Sequence, residues 1–198
     1  MYNSKEIRWF YRTEVESIRN WFEENGYIFE NTEARTDFYL PLKEKEDISI
    51  KLREKNIEVK QRISKSDKEK LTSQVKGYLE SYTKWSFSSA EDDSLFHEIT
   101  EGEKFSWLDV KKERIGFKLK KDNNSNIIRV PIEEYPDYGC QIEYTRVKVN
   151  EEIWYTFALE WFGDQELKFN YSLLDEIVGD NKLKASDSMG YAEFLNKF

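Results

Sequence analysis

The feature that most constrains the fold is an alternation of charged and apolar residues with a period of two. The clearest case is residues 48–63, where the alternation runs from Ile48 to Arg53 and again from Ile57 to Ile63. This pattern predicts a β-hairpin with a tight turn at Lys55-Asn56. Because successive side chains of a strand point to opposite sides, each arm has one charged and one apolar face.

The same alternation recurs along most of the chain. It predicts further strands over residues 6–12, 35–40, 115–120, 128–132, 141–149 and 153–162. Residues 71–87 fit a helix or a strand, and we favour a strand from about Val75 because Thr, Tyr and Trp favour β structure. The total is about eight strands, mostly antiparallel.

Apolar stripes with helical spacing predict a few helices. One follows the capping-box residues Thr13 and Glu16 and ends near Gly26. Further helices are predicted over residues 91–101, 171–179 and 188–196. With 198 residues, the chain suits a single domain spanning residues 1–198.

The composition combines an unusually high fraction of charged residues with a low fraction of apolar residues. Hydrophobic residues make up 38% of the chain and charged residues 35%, whereas a globular protein is usually about 45–50% apolar. Aromatic residues reach 16%, which argues against disorder. Either the core is small and aromatic, or part of the interior is polar.

Several function classes are excluded or disfavoured. The single cysteine, Cys140, excludes a disulfide framework and a multi-cysteine zinc site. No apolar run is long enough to span a bilayer and no signal peptide is visible, so we expect a cytoplasmic protein without a membrane partner. A net charge of −8 argues against duplex nucleic acid as a partner, although a local basic groove is compatible with it. A monomer and a homodimer are both compatible with the sequence.

The charged faces favour a barrel over an ordinary sandwich. Glu58, Lys60 and Arg62 place charges of both signs on one face of a strand, and the opposite faces are apolar enough to need covering by helices. We therefore predict an α+β fold in one domain: an eight-stranded antiparallel β-barrel, or tunnel, with a charged interior, packed by a few helices. A lipocalin-like carrier is the alternative, and it requires the apolar faces to point inward.

If the charged faces converge, the interior is locally basic. Its basic members are Arg8, Arg12, Arg35, Lys51, Arg53, Lys60, Arg62, Lys84, Lys118, Lys120 and Arg129. Its acidic members are Glu6, Asp37, Glu58, Glu80, Glu143 and Glu160. Lysine and arginine in a low-dielectric groove bind phosphate chains, and carboxylates among them bind Mg²⁺ or Mn²⁺.

These residues resemble the CYTH superfamily, the triphosphate tunnel metalloenzymes. The matching segments are Thr36-Asp37-Phe38-Tyr39-Leu40, Ile48-Ser49-Ile50-Lys51-Leu52-Arg53-Glu54, Ile57-Glu58-Val59-Lys60 and Tyr82-Thr83-Lys84-Trp85, with Glu160 on the closing strand. The resemblance spans residues 5–165. It implies an eight-stranded tunnel that binds triphosphate groups through basic residues and a divalent metal through glutamates.

The resemblance assigns roles to individual residues. Together with the charged faces, it makes Arg8, Arg35, Lys51, Arg53, Lys60, Arg62, Lys84, Lys118 and Arg129 the predicted substrate-binding residues. Glu58 and Glu160 are the predicted catalytic residues, and the predicted metal ligands are Glu6, Glu143 and Glu160. The expected cofactor is Mg²⁺ or Mn²⁺, and the expected partner is a phosphorylated small molecule or polyphosphate.

The chain departs from the family where the family opens with Glu-x-Glu-x-Lys. Here the string is Glu6-Ile7-Arg8-Trp9-Phe10, so that an arginine replaces the second glutamate. Near the end of the resemblance, acidic residues are also fewer: Ala158 lies two residues before Glu160, and Thr145 lies two residues after Glu143. The sequence is therefore compatible with metal-dependent hydrolysis of a triphosphate and with a non-catalytic module that binds a phosphorylated ligand.

Overall fold

Nine strands and four α-helices make up the computed structural model, which describes residues 2–88, 94–101 and 107–198. The strands are β1 (Tyr2–Tyr11), β2 (Arg35–Leu40), β3 (Ile48–Arg53), β4 (Asn56–Lys70), β5 (Lys76–Ser88), β6 (Leu108–Lys121), β7 (Ile127–Pro131), β8 (Gly139–Val149) and β9 (Glu152–Phe162). The helices are α1 (Glu16–Glu24), α2 (Ser94–Thr100), α3 (Ser172–Val178) and α4 (Tyr191–Leu195).

Eight of the described strands close into an antiparallel barrel. Their order is β2-β3-β4-β5-β1-β9-β8-β6, and pairing of β2 with β6 closes the ring. β7 lies outside the ring, paired with the far end of β6. Closure removes the unpaired edges of the sheet. The predicted α+β single-domain barrel packed by helices is confirmed.

The apolar faces of the strands point out of the barrel, towards the helices. Ile7 and Trp9 of β1 and Phe157 of β9 are fully buried, together with Ile18 and Phe22 of α1. Burying a side chain of this size contributes about 1.5–3 kcal/mol. The aromatic residues thus form a core between barrel and helices, and the charged faces point inward. A lipocalin-like carrier requires the apolar faces to point into the barrel, and the structure does not have this arrangement.

One end of the barrel is filled by the C-terminal segment. There the inward-facing residues become apolar, and Phe10 and Trp154 pack against Phe194 of α4. The ring centroids of Phe10 and Phe194 are 3.9 Å apart. Gly190, just before α4, lies against Glu80 and Tyr82 of the barrel wall, in a space that a Cβ atom would fill. α4 therefore blocks this end of the interior.

The structure differs from the predicted elements mainly at their ends. The predicted capping box is wrong: α1 begins after Val15, whose backbone N–H donates to the Tyr144 hydroxyl at 2.9 Å, so a tertiary contact replaces the cap. β1 and β6 begin earlier than predicted, and the hairpin turn lies at Glu54-Lys55, one residue earlier. The start of the predicted 91–101 helix, residues 91–93, lies outside the described residues.

Across the described ranges, we find no helix with the length and apolar character needed to cross a membrane.

Candidate functional site

The inward-facing side chains surround a cavity of about 770 Å³. Strand pairing places them on one wall because residues two apart on each strand share the inner face. Most of the predicted site residues line this cavity: Glu6, Arg8, Arg35, Lys51, Arg53, Glu58, Lys60, Lys84, Lys118, Glu143 and Glu160.

Two predicted site residues do not line the cavity. Arg129 lies on β7, outside the ring, and its guanidinium covers Trp21 and Phe117 of the outer core. Arg129 is therefore not brought together with the other predicted substrate-binding residues. Arg62 is held beyond the cavity lining by Glu80 at 2.8 Å and by Glu193 of α4 at 3.5 Å. It ties the barrel wall to the C-terminal helix, so its predicted role is not supported.

Asp37 of β2 is fully buried and contacts four cations. Arg35 and Arg53 approach Oδ1 at 2.9 and 3.4 Å, while Lys51 and Lys112 approach Oδ2 at 3.3 and 3.0 Å. Burial alone would raise the pKa of this carboxyl group, but the cations outweigh burial and hold the pKa well below its usual range. Asp37 is thus a fixed negative charge at the centre of a positive wall.

Glu58 of β4 faces the same wall. Its carboxylate contacts Lys84 at 2.7 Å, Lys51 at 3.2 Å and Arg53 at 3.6 Å. Burial opposes ionisation, yet Lys51 and Arg53 lower the pKa of Glu58 to about 2. We call the resulting set the basic cluster; its two carboxylates and five cations are Asp37, Glu58, Arg35, Lys51, Arg53, Lys84 and Lys112.

The basic cluster contains more positive charge than its carboxylates neutralise. Burial and the neighbouring Arg53 lower the pKa of Lys51 to about 8. Burial also lowers the pKa of Lys112 well below its usual value, although Asp37 opposes this. The buried Nε atom of Arg53 lies 3.4 Å from Asp37 Oδ1 but forms no hydrogen bond there. The surplus of cations and the lowered pKa values of the two lysines point to a site that an anion would complete.

A second group of charges surrounds Arg8 of β1; we call it the Arg8 cluster, consisting of Arg8, Glu6, Glu143 and Thr156. The guanidinium donates from Nε to Glu6 at 2.9 Å, from Nη2 to Glu143 at 2.8 Å and from Nη1 to Thr156 at 3.3 Å. Lys60 donates to the second oxygen of Glu6 at 2.8 Å. Burial opposes the ionisation of both glutamates, but Arg8 and Lys60 hold the pKa of Glu6 well below its usual range, and Arg8 and Arg114 lower the pKa of Glu143 to about 2.

The predicted metal ligands do not form a metal site. In the part of the chain that the structure describes, no three His, Cys, Asp or Glu side chains are grouped so that they could hold a metal ion. Glu6 and Glu143 are both occupied by Arg8, and Glu160 contacts Lys60 at 3.8 Å. Because Mg²⁺ needs near-octahedral oxygen ligands, this donor set does not fit Mg²⁺ or Mn²⁺.

Lys112, Tyr39 and Tyr191 are among the residues of the cavity wall that sequence reasoning missed. Lys112 of β6 donates to the hydroxyl of Tyr39 at 2.7 Å and lies 4.0 Å from the ring centre of Tyr191 in α4. Reading the alternation backwards from Lys118 through Arg114 would have found Lys112. No local pattern marks Tyr191, because only the folding of α4 into the end of the barrel brings it there.

The fold and the cavity define the class of this protein: a closed antiparallel β-barrel with a charged, partly basic interior. No protein-family model and no curated protein match the chain. Among solved structures, a conserved hypothetical protein from Pyrococcus furiosus has 15% identity and a TM-score of 0.48, over 95% of this chain and 98% of that one. The PH1012 protein from Pyrococcus horikoshii OT3 has 17% identity and a TM-score of 0.43, over 96% and 98%. Neither description states an activity.

Proposed function

We propose that the protein binds a phosphorylated small molecule or a short polyphosphate inside its barrel. The observation that carries this proposal is the basic cluster, in which five cations face two buried carboxylates. Uncompensated charges buried in a protein are costly unless a ligand pairs with them. The resemblance of the sequence to the triphosphate tunnel metalloenzymes points to the same class of ligand.

The cavity suits such a ligand in size and in chemistry. Its volume of about 770 Å³ lies in the usual range for small-molecule sites. Arg35 and Arg53 offer planar guanidinium groups that bind phosphate oxygens in pairs, whereas Lys51, Lys84 and Lys112 offer point charges. In the proposed complex these five side chains contact the phosphate groups, with Asp37 and Glu58 keeping them in place.

Thermal denaturation with and without tripolyphosphate tests the proposal. Lys51→Ala and Lys112→Ala each remove one cluster cation, and Lys111→Ala is the matched control because Lys111 is exposed on the outer face of β6. We expect tripolyphosphate to raise the melting temperature of the wild type and of Lys111→Ala. Each cluster variant should bind about 10- to 100-fold more weakly, as expected for a lost charged hydrogen bond. Equal shifts in all four proteins, or none, would refute binding at the cluster.

The sequence also predicts metal-dependent hydrolysis of a triphosphate, and an assay of phosphate release from tripolyphosphate tests this prediction. The predicted catalytic residue Glu58 is occupied by three cations, and the predicted metal ligands do not fit a metal. We therefore expect tripolyphosphate to bind without being cleaved when Mg²⁺ or Mn²⁺ is present. Turnover that disappears in Glu160→Gln would instead establish hydrolysis and contradict this expectation.

A further inference from the structure

Arg8 lies between two carboxylates of the cavity wall and is almost completely buried. Its exposed fraction is 4%, against 3% for Glu6 and 6% for Glu143. All three guanidinium nitrogens have partners in the barrel wall, at 2.8–3.3 Å. Its position is therefore fixed by the fold.

Strand register explains how the guanidinium fits there. Ala158 of β9 is paired with Arg8 on one side and with Glu143 on the other. The small side chain of Ala158 leaves space above it, through which Arg8 reaches from β1 to β8. One step along the barrel, Glu6 is paired with Glu160, and Lys60 contacts these two carboxylates at 2.8 and 3.8 Å.

We propose that Arg8 is a built-in cation that takes the place of a divalent metal ion between Glu6 and Glu143, so that the cavity binds its ligand as the metal-free anion. The statement about the ligand rests on the proposed function. The statement about Arg8 and the metal ion does not, and it is tested separately.

The chemistry of the guanidinium group supports the replacement of a metal ion by Arg8. A guanidinium remains charged at all ordinary pH values and satisfies two carboxylates with directed hydrogen bonds, whereas a metal ion would need more oxygen ligands than the wall leaves free. A metal complexed to the ligand would also reduce its negative charge and bring a cation towards the surplus positive charge of the basic cluster. Free Mg²⁺ should therefore compete with the protein for the ligand.

Titration with Mn²⁺ alone tests the role of Arg8. Electron paramagnetic resonance of the free ion measures how much Mn²⁺ each protein binds. We expect no binding by the wild type or by the control Arg12→Ala, in which an exposed arginine four positions further along the chain is removed. Arg8→Ala should gain a Mn²⁺ site, because it releases Oε1 of both Glu6 and Glu143 and opens space beside them, although Lys60 and Arg114 still contact their second oxygens.

Calorimetric titration with tripolyphosphate in EDTA, and then in excess Mg²⁺ at matched ionic strength, tests the form of the ligand. The wild type should bind in EDTA, and Mg²⁺ should weaken the apparent affinity. Binding that requires Mg²⁺ would overturn the proposal, as would Mn²⁺ binding by the wild type that disappears in Glu143→Gln.

The two experiments separate the two claims. Absence of tripolyphosphate binding in every buffer refutes the proposed function, yet a Mn²⁺ site that appears only in Arg8→Ala still establishes Arg8 as the built-in cation. A folded Arg8→Ala protein that binds no Mn²⁺ overturns the role of Arg8. If Arg8→Ala does not fold, the wild-type titrations with Mn²⁺ and with EDTA decide the outcome.

Discussion

At the scale of single residues, the site depends on how burial and charge are balanced around Asp37. Its carboxylate is fully buried and contacts Arg35, Lys51, Arg53 and Lys112, so its own ionisation is favoured while the lysines remain incompletely compensated. A group of cations held in this way is ready to bind an anion without moving, which lowers the cost of binding.

Replacing Asp37 by asparagine leaves the buried Lys112 and three partly buried cations without their central partner. We expect Asp37→Asn to lower the free energy of unfolding by about 3–5 kcal/mol, the usual cost of breaking a buried ion pair. Urea denaturation measures this loss. Glu166→Gln, which breaks an exposed pair with Lys5, should cost less than about 1 kcal/mol. Similar losses in the two variants would contradict the role given to Asp37.

Lys51 should make anion binding depend on pH. Its pKa is about 8 in the folded protein, below the ordinary value of 10.5, and a bound anion raises it by favouring the charged form. Near and above pH 8, binding therefore takes up a proton, and the affinity falls as the pH rises from about 7 to about 9. Calorimetry with sulfate, in buffers of different ionisation enthalpy, measures the uptake.

The variant Lys51→Arg is the control for this effect, because arginine keeps its charge over the whole range. Proton uptake should decrease in this variant, while the part that comes from Lys112 remains. Equal uptake by the wild type and Lys51→Arg would show that Lys51 does not change its protonation on binding.

At the scale of elements, the period-two alternation accounts for most of what the sequence predicts correctly. It locates the strands and the inward side of each, because side-chain direction in a strand is a local property. It does not determine which strand closes the ring. β7 has the same alternation as the barrel strands but pairs outside the ring, so the alternation alone does not show that Arg129 lies away from the cavity. The docking of α4 is likewise a tertiary contact without a local signal.

α4 should contribute strongly to stability because it fills one end of the barrel. Phe194 is fully buried against Phe10, Trp154 and Phe198. We expect Phe194→Ala to lower the free energy of unfolding by about 3–5 kcal/mol. Phe87→Ala is the control, since Phe87 is 56% exposed, and it should change the stability by no more than about 0.5 kcal/mol. A small effect of Phe194→Ala in urea denaturation would contradict the docking of α4.

At the scale of the whole molecule, the barrel encloses a positively charged cluster within a protein whose net charge is negative. The chain has a net charge of −8, while the basic cluster lies inside the cavity. The low apolar fraction and high aromatic content have the same origin: the charged faces form the interior wall, and aromatic residues fill the layer between barrel and helices. Net charge therefore describes the outside of this protein and says little about its ligand.

This separation of charges predicts selectivity between anions. Duplex DNA is too large to enter a cavity of about 770 Å³ and meets a molecule of net negative charge. At equal phosphate concentration, we expect pyrophosphate to displace a bound fluorescent polyphosphate and duplex DNA to leave it bound. Displacement by DNA would place the binding surface on the outside of the barrel.

The most direct measurement is a crystal structure of the protein grown with tripolyphosphate. We expect phosphate density inside the barrel, with oxygens about 2.7–2.9 Å from nitrogens of Lys51, Arg53 and Lys112, and with Arg8 still joining Glu6 to Glu143. Phosphate bound only on the outer surface would contradict ligand binding inside the barrel, and a metal ion between Glu6 and Glu143 would contradict the role of Arg8.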